Sequence, residues 1–574
     1  MSSSELPNEF EDSKGKTVKG KQHIANGFND FFVNVGPDLA KKIQQEDSDI
    51  YSYMKNRNDN SMFLLPTDSE EVLKTFNSCS NKMSTDSEDL SMSIVKGIVN
   101  EVLEPFTHIC NLSFIHGTFP DKMKIAKVVP LYKGGCKNVF TNYRPVSLLP
   151  QFSKILEKLF DVRLQKFIDK NNILSDSQYG FRSNRSTSLA LMELIEEICT
   201  GIDNKKLTVG VFIDLKKAFD TIDHNILLNK LEFYGVRGVA HSWIKSYLSL
   251  RKQYVQVDNT ASDLLSILCG VPQGSVLGPK LFIIYINDLC NVSELLKYVL
   301  FADDTNIFKS GVNIIDICEE LCIELKQLSK WFNVNKLSLN VSKTHFMVFG
   351  KLKFTDNVKI CINDIDIERV SVTKFLGVLI DDKLCWNEHI NKVKSKLAKS
   401  ISIIYKAREY VNYEALITLY NSLFLPHLSY CCEIWASTFK SNLQKIVTLQ
   451  KRCIRIIHKV DRLYHTCALF RNINSLKFLD IVKFKGMQIV YRAYHNNLPK
   501  NLQSYFMLNR GTVSYDMRSR DKFKIKYVRT SLRSKLVSII GPKWWNQLPQ
   551  SIRVCVNIES FKKALKYFLI TSYV

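Results

Sequence analysis

The sequence predicts an α+β fold in which short apolar strands end in acidic residues and helical segments surround them. In the stretch Tyr298 to Phe308, apolar residues run up to Asp303 and Asp304 and resume after them. This pattern is typical of two short strands with the acids at or near the turn. A further acid, Asp214, directly follows an apolar strand at residues 209–213. Apolar residues recur at helical spacing near the N-terminus and again from about residue 393, which completes the mixed pattern.

The three acids predict a metal site at one rim of a sheet. Adjacent carboxylates repel each other unless a cation lies between them. A lone Asp-Asp pair is more often a polar turn, but Asp214 repeats the setting of Asp303, which favours a shared site. Mg²⁺ prefers oxygen ligands, and two such ions are the usual clamp for displacement at a phosphate. We therefore expect two Mg²⁺ ions, with Mn²⁺ as a possible substitute.

The composition limits the class of protein. The chain has 574 residues, enough for three or four domains, with 45% hydrophobic and 24% charged residues. It has no apolar run of membrane-spanning length, and its first residues lack the apolar core of a signal peptide. The 15 cysteines show no paired framework and are expected to be reduced thiols. The expected location is intracellular, in the cytoplasm and nucleus.

The positive charge is concentrated in the last quarter of the chain. Residues 431–574 hold 27 Lys and Arg against 6 Asp and Glu, whereas the rest of the chain is almost neutral. This imbalance predicts a partner with many phosphates, and a membrane surface is the weaker alternative. The candidate contacts lie on an amphipathic helix and on a segment with the alternation of a strand, and a solvated surface is the alternative for both. They are Lys451, Arg452, Arg455, Lys522, Lys524 and Lys526.

Two further pairs of cations lie upstream of the acids. Lys133 and Arg144 flank a loop or hairpin and could point into one cleft. Alone they would be solvated surface charges, but beside a two-metal site they are candidates for holding a triphosphate. Arg182 and Arg185 alternate with aromatic residues just before a helix, which suits contact with a nucleic-acid strand or an ordinary loop.

Three other positions are candidates for contacts around the acids. Phe219 lies five residues after Asp214 and could form the floor of the site or pack in the core. In the segment CGVPQGSVLGP, Gln273 offers a donor and an acceptor, and Gly274 leaves room for a substrate. A tight turn before a helix is the alternative explanation. Lys343 could protonate a leaving group or lie at a strand edge.

Taken together, these motifs resemble the reverse transcriptases of non-LTR (LINE-type, jockey-like) retrotransposons. The resemblance covers about residues 120 to 390. FADD and GVPQGSVLGP differ from the usual retroviral forms and favour the non-LTR branch. The motifs that carry it, all in the order of that family, are PLYK, NYRPVSLL, QYGFR, FIDLKKAFDTIDH, GVPQGSVLGP, FADDT, LNVSKT and KFLGVLIDD.

The resemblance implies a role for each candidate residue. Asp214 and Asp303 would be metal ligands, assisted by the backbone carbonyl of Leu215, and Asp304 would orient its neighbour. Phe219 would be the gate that selects dNTPs over rNTPs. The other implied contacts are with the nucleotide and its leaving group: Lys133 and Arg144 on the triphosphate, Gln273 and Gly274 against the nucleotide, and Lys343 as a candidate acid for the leaving pyrophosphate.

The resemblance also implies a right-hand polymerase, with an antiparallel-sheet palm, helical fingers and thumb, and a basic C-terminal extension. The expected ranges are a disordered N-terminus (1–21), a helical extension (22–120), fingers and palm (121–385), a helical thumb (386–470) and a basic C-terminal region (471–574).

The implied function is RNA-directed DNA polymerisation, with an RNA template, a DNA primer or target, and dNTPs as partners. Related proteins usually carry an endonuclease before the polymerase, and none is expected in this chain. The alternative is a catalytically silent remnant or domesticated copy that only binds nucleic acid.

Overall fold

The computed structural model describes residues 6–509 and 521–573, apart from residues 12–14, 16, 45, 47, 48 and 352–357. Helices and strands are mixed, as predicted. The strands are β1 (Glu9–Glu11), β2 (Thr17–Lys19), β3 (Ile125–Tyr132), β4 (Tyr143–Leu148), β5 (Leu207–Ile213), β6 (Lys252–Val257), β7 (Thr260–Ala261), β8 (Leu265–Ser266), β9 (Lys297–Phe301), β10 (Asp304–Gly311), β11 (His345–Phe349), β12 (Cys361–Ile362), β13 (Ile365–Asp366), β14 (Glu368–Arg369), β15 (Val372–Phe375) and β16 (Val378–Asp381).

The helices before residue 386 are α1 (Lys21–Ala40), α2 (Ser69–Asn77), α3 (Met92–Gly97), α4 (Val99–His116), α5 (Gln151–Lys170), α6 (Thr187–Asp203), α7 (His224–Phe233), α8 (Gly238–Leu248), α9 (Gly278–Tyr285) and α10 (Ile314–Val334). The later ones are α11 (Asn387–Ala407), α12 (Tyr413–Leu419), α13 (Leu425–Ser429), α14 (Cys432–Trp435), α15 (Lys440–Ile457), α16 (Cys467–Asn472), α17 (Phe478–Tyr494), α18 (Lys500–Gln503), α19 (Val537–Asn546), α20 (Gln550–Arg553) and α21 (Ile558–Thr571).

A five-stranded sheet carries the acids. Its order is β14-β11-β5-β10-β9, and all pairs are antiparallel except β11 with β14. The central strand β5 is a nearly continuous apolar run, with every residue after Leu207 buried. This is the pattern of a strand covered on both faces. The two faces of the sheet contribute to different hydrophobic cores.

A second sheet lies beside the first and carries the loop between Lys133 and Arg144. Its order is β4-β3-β6-β7, with β8 also paired to β6. Helix α1 packs on this sheet, where Phe28 and Phe32 join the aromatic residues Phe140 and Tyr143 in a small core. The N-terminal helix is therefore part of the same body as the loop.

Two large hydrophobic cores cross the predicted domain boundaries. One joins side chains from Ile50 to Ile367, and the other joins side chains from Tyr179 to Tyr573. The second core includes Phe212 and Met347 of the acid-bearing sheet together with the helices that follow residue 386. Packing therefore continues across residues 120, 385 and 470, and the domain boundaries stay predictions.

Two local predictions need correction. The disorder expected for residues 1–21 does not extend to β1 and β2, which pair antiparallel, whereas residues 1–5, 12–14 and 16 lie outside the described residues. The basic segment around Lys522, Lys524 and Lys526 is not a strand. Phe523 forms a β-bridge with Leu508 and its ring is buried against Trp545, while the Asn546 side chain binds its backbone. These contacts, rather than an alternating face, position the segment.

The state of the cysteines and the length of the apolar helices are as the sequence predicts. All 15 cysteines are free. Within the part of the chain that the structure describes, every helix is too short or too polar to cross a membrane.

Candidate active site

The acidic pair lies in a tight hairpin, as the sequence predicts. Strands β9 and β10 pair Phe301 with Asp304, which leaves Ala302 and Asp303 as the two-residue turn. Ala302 has φ +54°, in the left-handed region that such turns require. The next pair in the sheet is Thr305 with Ile213 of β5. Asp214, which follows Ile213, therefore lies at the same rim as the pair.

The QYG segment supports this hairpin. Leu300 exchanges backbone hydrogen bonds with the segment, accepting from the Tyr179 N–H at 2.8 Å and donating to the Ser177 carbonyl at 2.9 Å. The Gln178 Oε1 accepts from the backbone N–H groups of Gly180 (2.7 Å) and Ala302 (3.1 Å). The sequence left this segment open between a contact with nucleic acid and an ordinary loop, and in the structure its backbone and the Gln178 side chain hold the acidic turn.

Burial and neighbouring carboxylates raise the pKa of two of the acids. Asp303 and Asp304 are open to the cleft, yet the surrounding protein removes enough water to raise the pKa of both. For Asp304 burial is the main cause and repulsion by Asp303 and Asp214 adds to it, which brings its pKa to about 6. Lys133 and Arg144 lower the pKa of Asp303, but less than burial raises it. A bound cation would relieve this repulsion.

Asp214 is fixed by a residue that the sequence analysis missed. The Asn340 side-chain amide donates to Asp214 Oδ2 at 2.6 Å, and the Asn340 backbone N–H donates to the Asp214 carbonyl at 2.9 Å. Thr344 completes the loop, because its Oγ1 accepts from the Asp214 N–H and donates to the Asn340 carbonyl. In the motif LNVSKT, the sequence pattern pointed only to the lysine. Its asparagine holds the metal-ligand candidate in place.

One cleft of about 600 Å³ brings half of the candidate residues together. The three acids line it along with the cations Lys133 and Arg144, and with Lys343. Helix α1 contributes a wall, through Phe31 and neighbouring apolar residues, that sequence analysis did not predict. The complete lining comprises Phe31, Val35, Leu39, Lys133, Thr141, Arg144, Asp214, Leu215, Lys216, Lys217, Ala218, Phe219, Gln273, Asp303, Asp304, Asn340 and Lys343.

The floor of the cleft is formed by Phe219 and Gln273. The Phe219 ring stacks on Phe282 with centroids 4.5 Å apart, so the packing fixes its position. Gln273 Nε2 donates to Asp220 Oδ1 at 2.8 Å, and the other Asp220 oxygen is buried without a partner. Burial raises the pKa of Asp220 to about 6, and the hydrogen bond from Gln273 opposes this rise. Asp220 therefore orients the Gln273 amide.

Three residues that were predicted to contact substrate or nucleic acid make contacts within the protein. A side chain at Gly274 would meet the backbone of Ser147, so the space attributed to a substrate is occupied by β4. Arg185 forms an ion pair with Asp176 at 2.8 Å and is almost completely buried. Arg182 donates to the Ser175 carbonyl at 2.5 Å. Both arginines hold the loop before α6, which argues against contact with nucleic acid.

The remaining basic candidates do not line the cleft. On α15, Arg452 is exposed and Lys451 is half-buried, while Arg455 donates to the Tyr464 carbonyl at 2.8 Å. Lys524 is exposed, Lys522 is half-buried, and the Lys526 ammonium donates to the Ser504 carbonyl at 3.2 Å.

The donor set agrees with what Mg²⁺ requires at a phosphate. Among the described residues, no group of three or more His, Cys, Asp or Glu side chains is close enough to hold a metal ion alone. Mg²⁺ sites at phosphates usually use one or two carboxylates and take the other ligands from the substrate and water. The mutual repulsion of the cleft carboxylates fits such a partial site.

Comparison with known proteins adds independent information. Residues 133–380 match the family described as "Reverse transcriptase (RNA-dependent DNA polymerase)". Three similar proteins come from Drosophila melanogaster. They are the "Probable RNA-directed DNA polymerase from transposon X-element" (25% identical, over 77% of this chain and 49% of the relative), the "RNA-directed DNA polymerase from mobile element jockey" (26%, 80% and 50%) and the "Probable RNA-directed DNA polymerase from transposon BS" (29%, 72% and 47%).

The chain thus spans about half the length of the curated relatives it matches. The matched family segment begins at Lys133 and ends at Ile380, and it contains all three cleft acids. The chain carries a reverse transcriptase domain and is a homologue of the RNA-directed DNA polymerases of jockey, X-element and other non-LTR retrotransposons.

Proposed function

We propose that this chain is an RNA-directed DNA polymerase that extends a primer 3′-OH with dNTPs on an RNA template. The observation that carries the proposal is the division of charge across one cleft. Asp214, Asp303 and Asp304 lie at the sheet rim, and the exposed Lys133 and Arg144 lie on the second sheet. A metal–triphosphate complex has the charges that both sides require. The acid-bearing sheet would be the palm, the second sheet part of the fingers, and the helices from α11 the thumb.

The residues present fit a pair of Mg²⁺ ions held by Asp214, Asp303 and the Leu215 carbonyl. When bound, such ions lower the pKa of the primer hydroxyl and offset the charge on the leaving pyrophosphate. Asn340 engages one oxygen of Asp214 and leaves the other for a ligand. Lys343, exposed at the cleft, would donate a proton to the pyrophosphate.

The floor residues would select and orient the nucleotide. Phe219, fixed against Phe282, would exclude a ribose 2′-OH. Gln273 presents its amide from a fixed position, because Asp220 binds the Nε2 group. The protein therefore acts mainly by orientation, which can supply several kcal/mol of the barrier reduction.

Nucleic acid would leave the cleft along basic helices. Lys374 is close enough to Asp304 to lower the pKa of that carboxyl group. Burial lowers the pKa of Lys392, and the nearby charges of Lys374 and Lys396 lower it further. These lysines extend from the acid-bearing rim onto α11. Together with Lys451 and Arg452 of α15, these lysines are proposed phosphate contacts.

Replacing Lys451 and Arg452 by Gln should reduce the salt dependence of RNA binding. The log–log slope should fall by about 0.7–0.9 for each phosphate that the protein no longer neutralises.

Primer extension on an RNA template with dNTPs and Mg²⁺ tests the proposal. The wild type should extend the primer, and Asp303→Ala should abolish extension while leaving binding of primer and template intact. Tight binding of RNA without extension by the wild type would instead support a binding-only remnant.

A further inference from the structure

A cation with no role in the mechanism above also lines the cleft. Lys217 lies in the turn after Asp214, and its side chain is half-buried beside Lys133 and Arg144. Its backbone has φ +51°, a left-handed conformation that is uncommon for a residue other than Gly. The Lys217 carbonyl accepts from the Asp220 N–H at 2.9 Å, which closes this turn. The fold thus maintains an unfavourable conformation that directs a lysine into the cleft.

Helix α1 and strand β4 hold the ammonium group of this lysine. The Lys217 ammonium lies 5.3 Å from the centroid of the Phe31 ring, within the range of a cation–π contact. It also donates to the Tyr143 carbonyl at 3.4 Å, immediately before Arg144 in sequence. Because both partners are neutral, the positive charge of Lys217 is oriented but not neutralised.

The position of α1 against this turn is fixed by close packing. A Cβ atom at Gly36 would lie 2.5 Å from Cys269 Sγ and closer still to the Asp220 carbonyl oxygen, so only glycine fits. Two turns earlier, on the same side of the helix, the Asn29 amide donates to the Asp263 carbonyl at 2.8 Å. The helix therefore cannot slide along the turn, and Phe31 keeps its place over Lys217.

The three cations share the cleft with three carboxylates. Among the described residues, Lys133, Arg144 and Lys217 form no ion pair with a carboxylate. The three side chains converge on one cleft. Such convergence stabilises a multiply charged ligand and penalises an empty cleft.

We propose that Lys217, held in place by Phe31 of α1, is a third cation that binds the triphosphate of the incoming nucleotide. This inference rests on the proposed polymerase function. It gives the N-terminal helix a part in nucleotide binding, although α1 lies outside the segment that matches the family.

The test compares Lys217→Met and Phe31→Leu with two matched controls. Lys137→Met removes an exposed lysine that also lies over a tyrosine ring, and Phe63→Leu removes an exposed phenylalanine. Each protein is assayed for the dNTP KM in primer extension, for inhibition by inorganic tripolyphosphate, and for affinity for primer–template. Lys217→Met should raise KM and weaken tripolyphosphate inhibition by about tenfold each, as expected for one charge-assisted contact.

Phe31→Leu should move both values in the same direction by about threefold, because a cation–π contact is weaker. Primer–template affinity should stay unchanged in every variant. Unchanged KM and tripolyphosphate inhibition in both variants, with an active wild type, would overturn the assignment of Lys217. An equal loss of primer–template affinity would overturn it as well. If Lys217→Met does not fold, Phe31→Leu decides, because it keeps the charge. An inactive wild type would refute the polymerase function instead.

Discussion

Gly180→Ala tests whether the backbone of the QYG segment aims the acidic turn. A Cβ atom at this position would lie under 3.0 Å from the Ala302 nitrogen and 3.1 Å from the carbonyl carbon of Phe301. Ordinary van der Waals contact begins at 3.4 Å, so the turn must retreat by at least several tenths of an ångström. The obstacle is backbone, which cannot rotate aside like a side chain.

The displacement should cost more activity than stability. A misplacement of about 1 Å at a reacting centre can cost about 10²-fold in rate, so a shift of several tenths should lower kcat by roughly 10- to 100-fold. Overpacking costs about 1–3 kcal/mol in the free energy of unfolding. Primer–template affinity should be unchanged, because the added Cβ atom would meet the hairpin and Gln178 Oε1, and Gly180 does not line the cleft.

Single-turnover primer extension and denaturant unfolding measure these two quantities. Gly97→Ala is the control, because a Cβ there meets no atom within 4 Å. It should leave kcat unchanged. A Gly180→Ala protein with the kcat of the wild type would refute the argument that this segment positions Asp303.

Three further predictions concern selectivity, pH and stability. Phe219→Ala should raise rNTP incorporation in competition assays without unfolding the chain, and unchanged selectivity would exclude Phe219 as the gate. Extension should fall as pH drops through about 6, where Asp304 gains a proton, and added Mg²⁺ should shift the profile to lower pH. The raised pKa means that the folded protein binds this proton more tightly than the unfolded chain, so the melting temperature of the metal-free protein should not fall over the same interval. Lys230→Met should cost about 3–5 kcal/mol, because Lys230 and Asp288 form a fully buried ion pair at 2.5 Å; adding Asp288→Asn should recover part of this stability in urea unfolding.

The sequence predicted the parts of the site that depend on local pattern. Apolar strands that end in Asp214 and flank Asp303 place both acids at one rim, because neighbouring antiparallel strands share that edge. Lys133, Arg144, Phe219 and the acids do line one cleft. Alternating periodicity also predicted a basic strand near Lys524, but the segment pairs with residues 507–509 only through the isolated bridge between Leu508 and Phe523.

What the sequence did not predict depends on contacts between distant segments. Asn340 binds Asp214 across 126 residues, and Phe31 meets Lys217 only because α1 packs on the second sheet. The sequence pattern showed no ion-pair partner for Arg185, but in the folded loop Arg185 forms an ion pair with Asp176. Spacing along the chain carries no signal for such pairs.

The wall that α1 forms has a consequence for how the protein folds. The cleft needs side chains from Phe31 to Lys343, and the helix is tied to its sheet by hydrogen bonds such as that from Asn29 to the Asp263 carbonyl, 234 residues away. Because distant contacts slow folding, the cleft should be among the last features to form. During synthesis, the hydrogen bond from α1 to Asp263 cannot form until more than half of the segment that matches the family has left the ribosome. Until β6 emerges, the part of the apolar face that packs near Val255 and Val257 is exposed, and a chaperone that covers it would raise the yield of active protein.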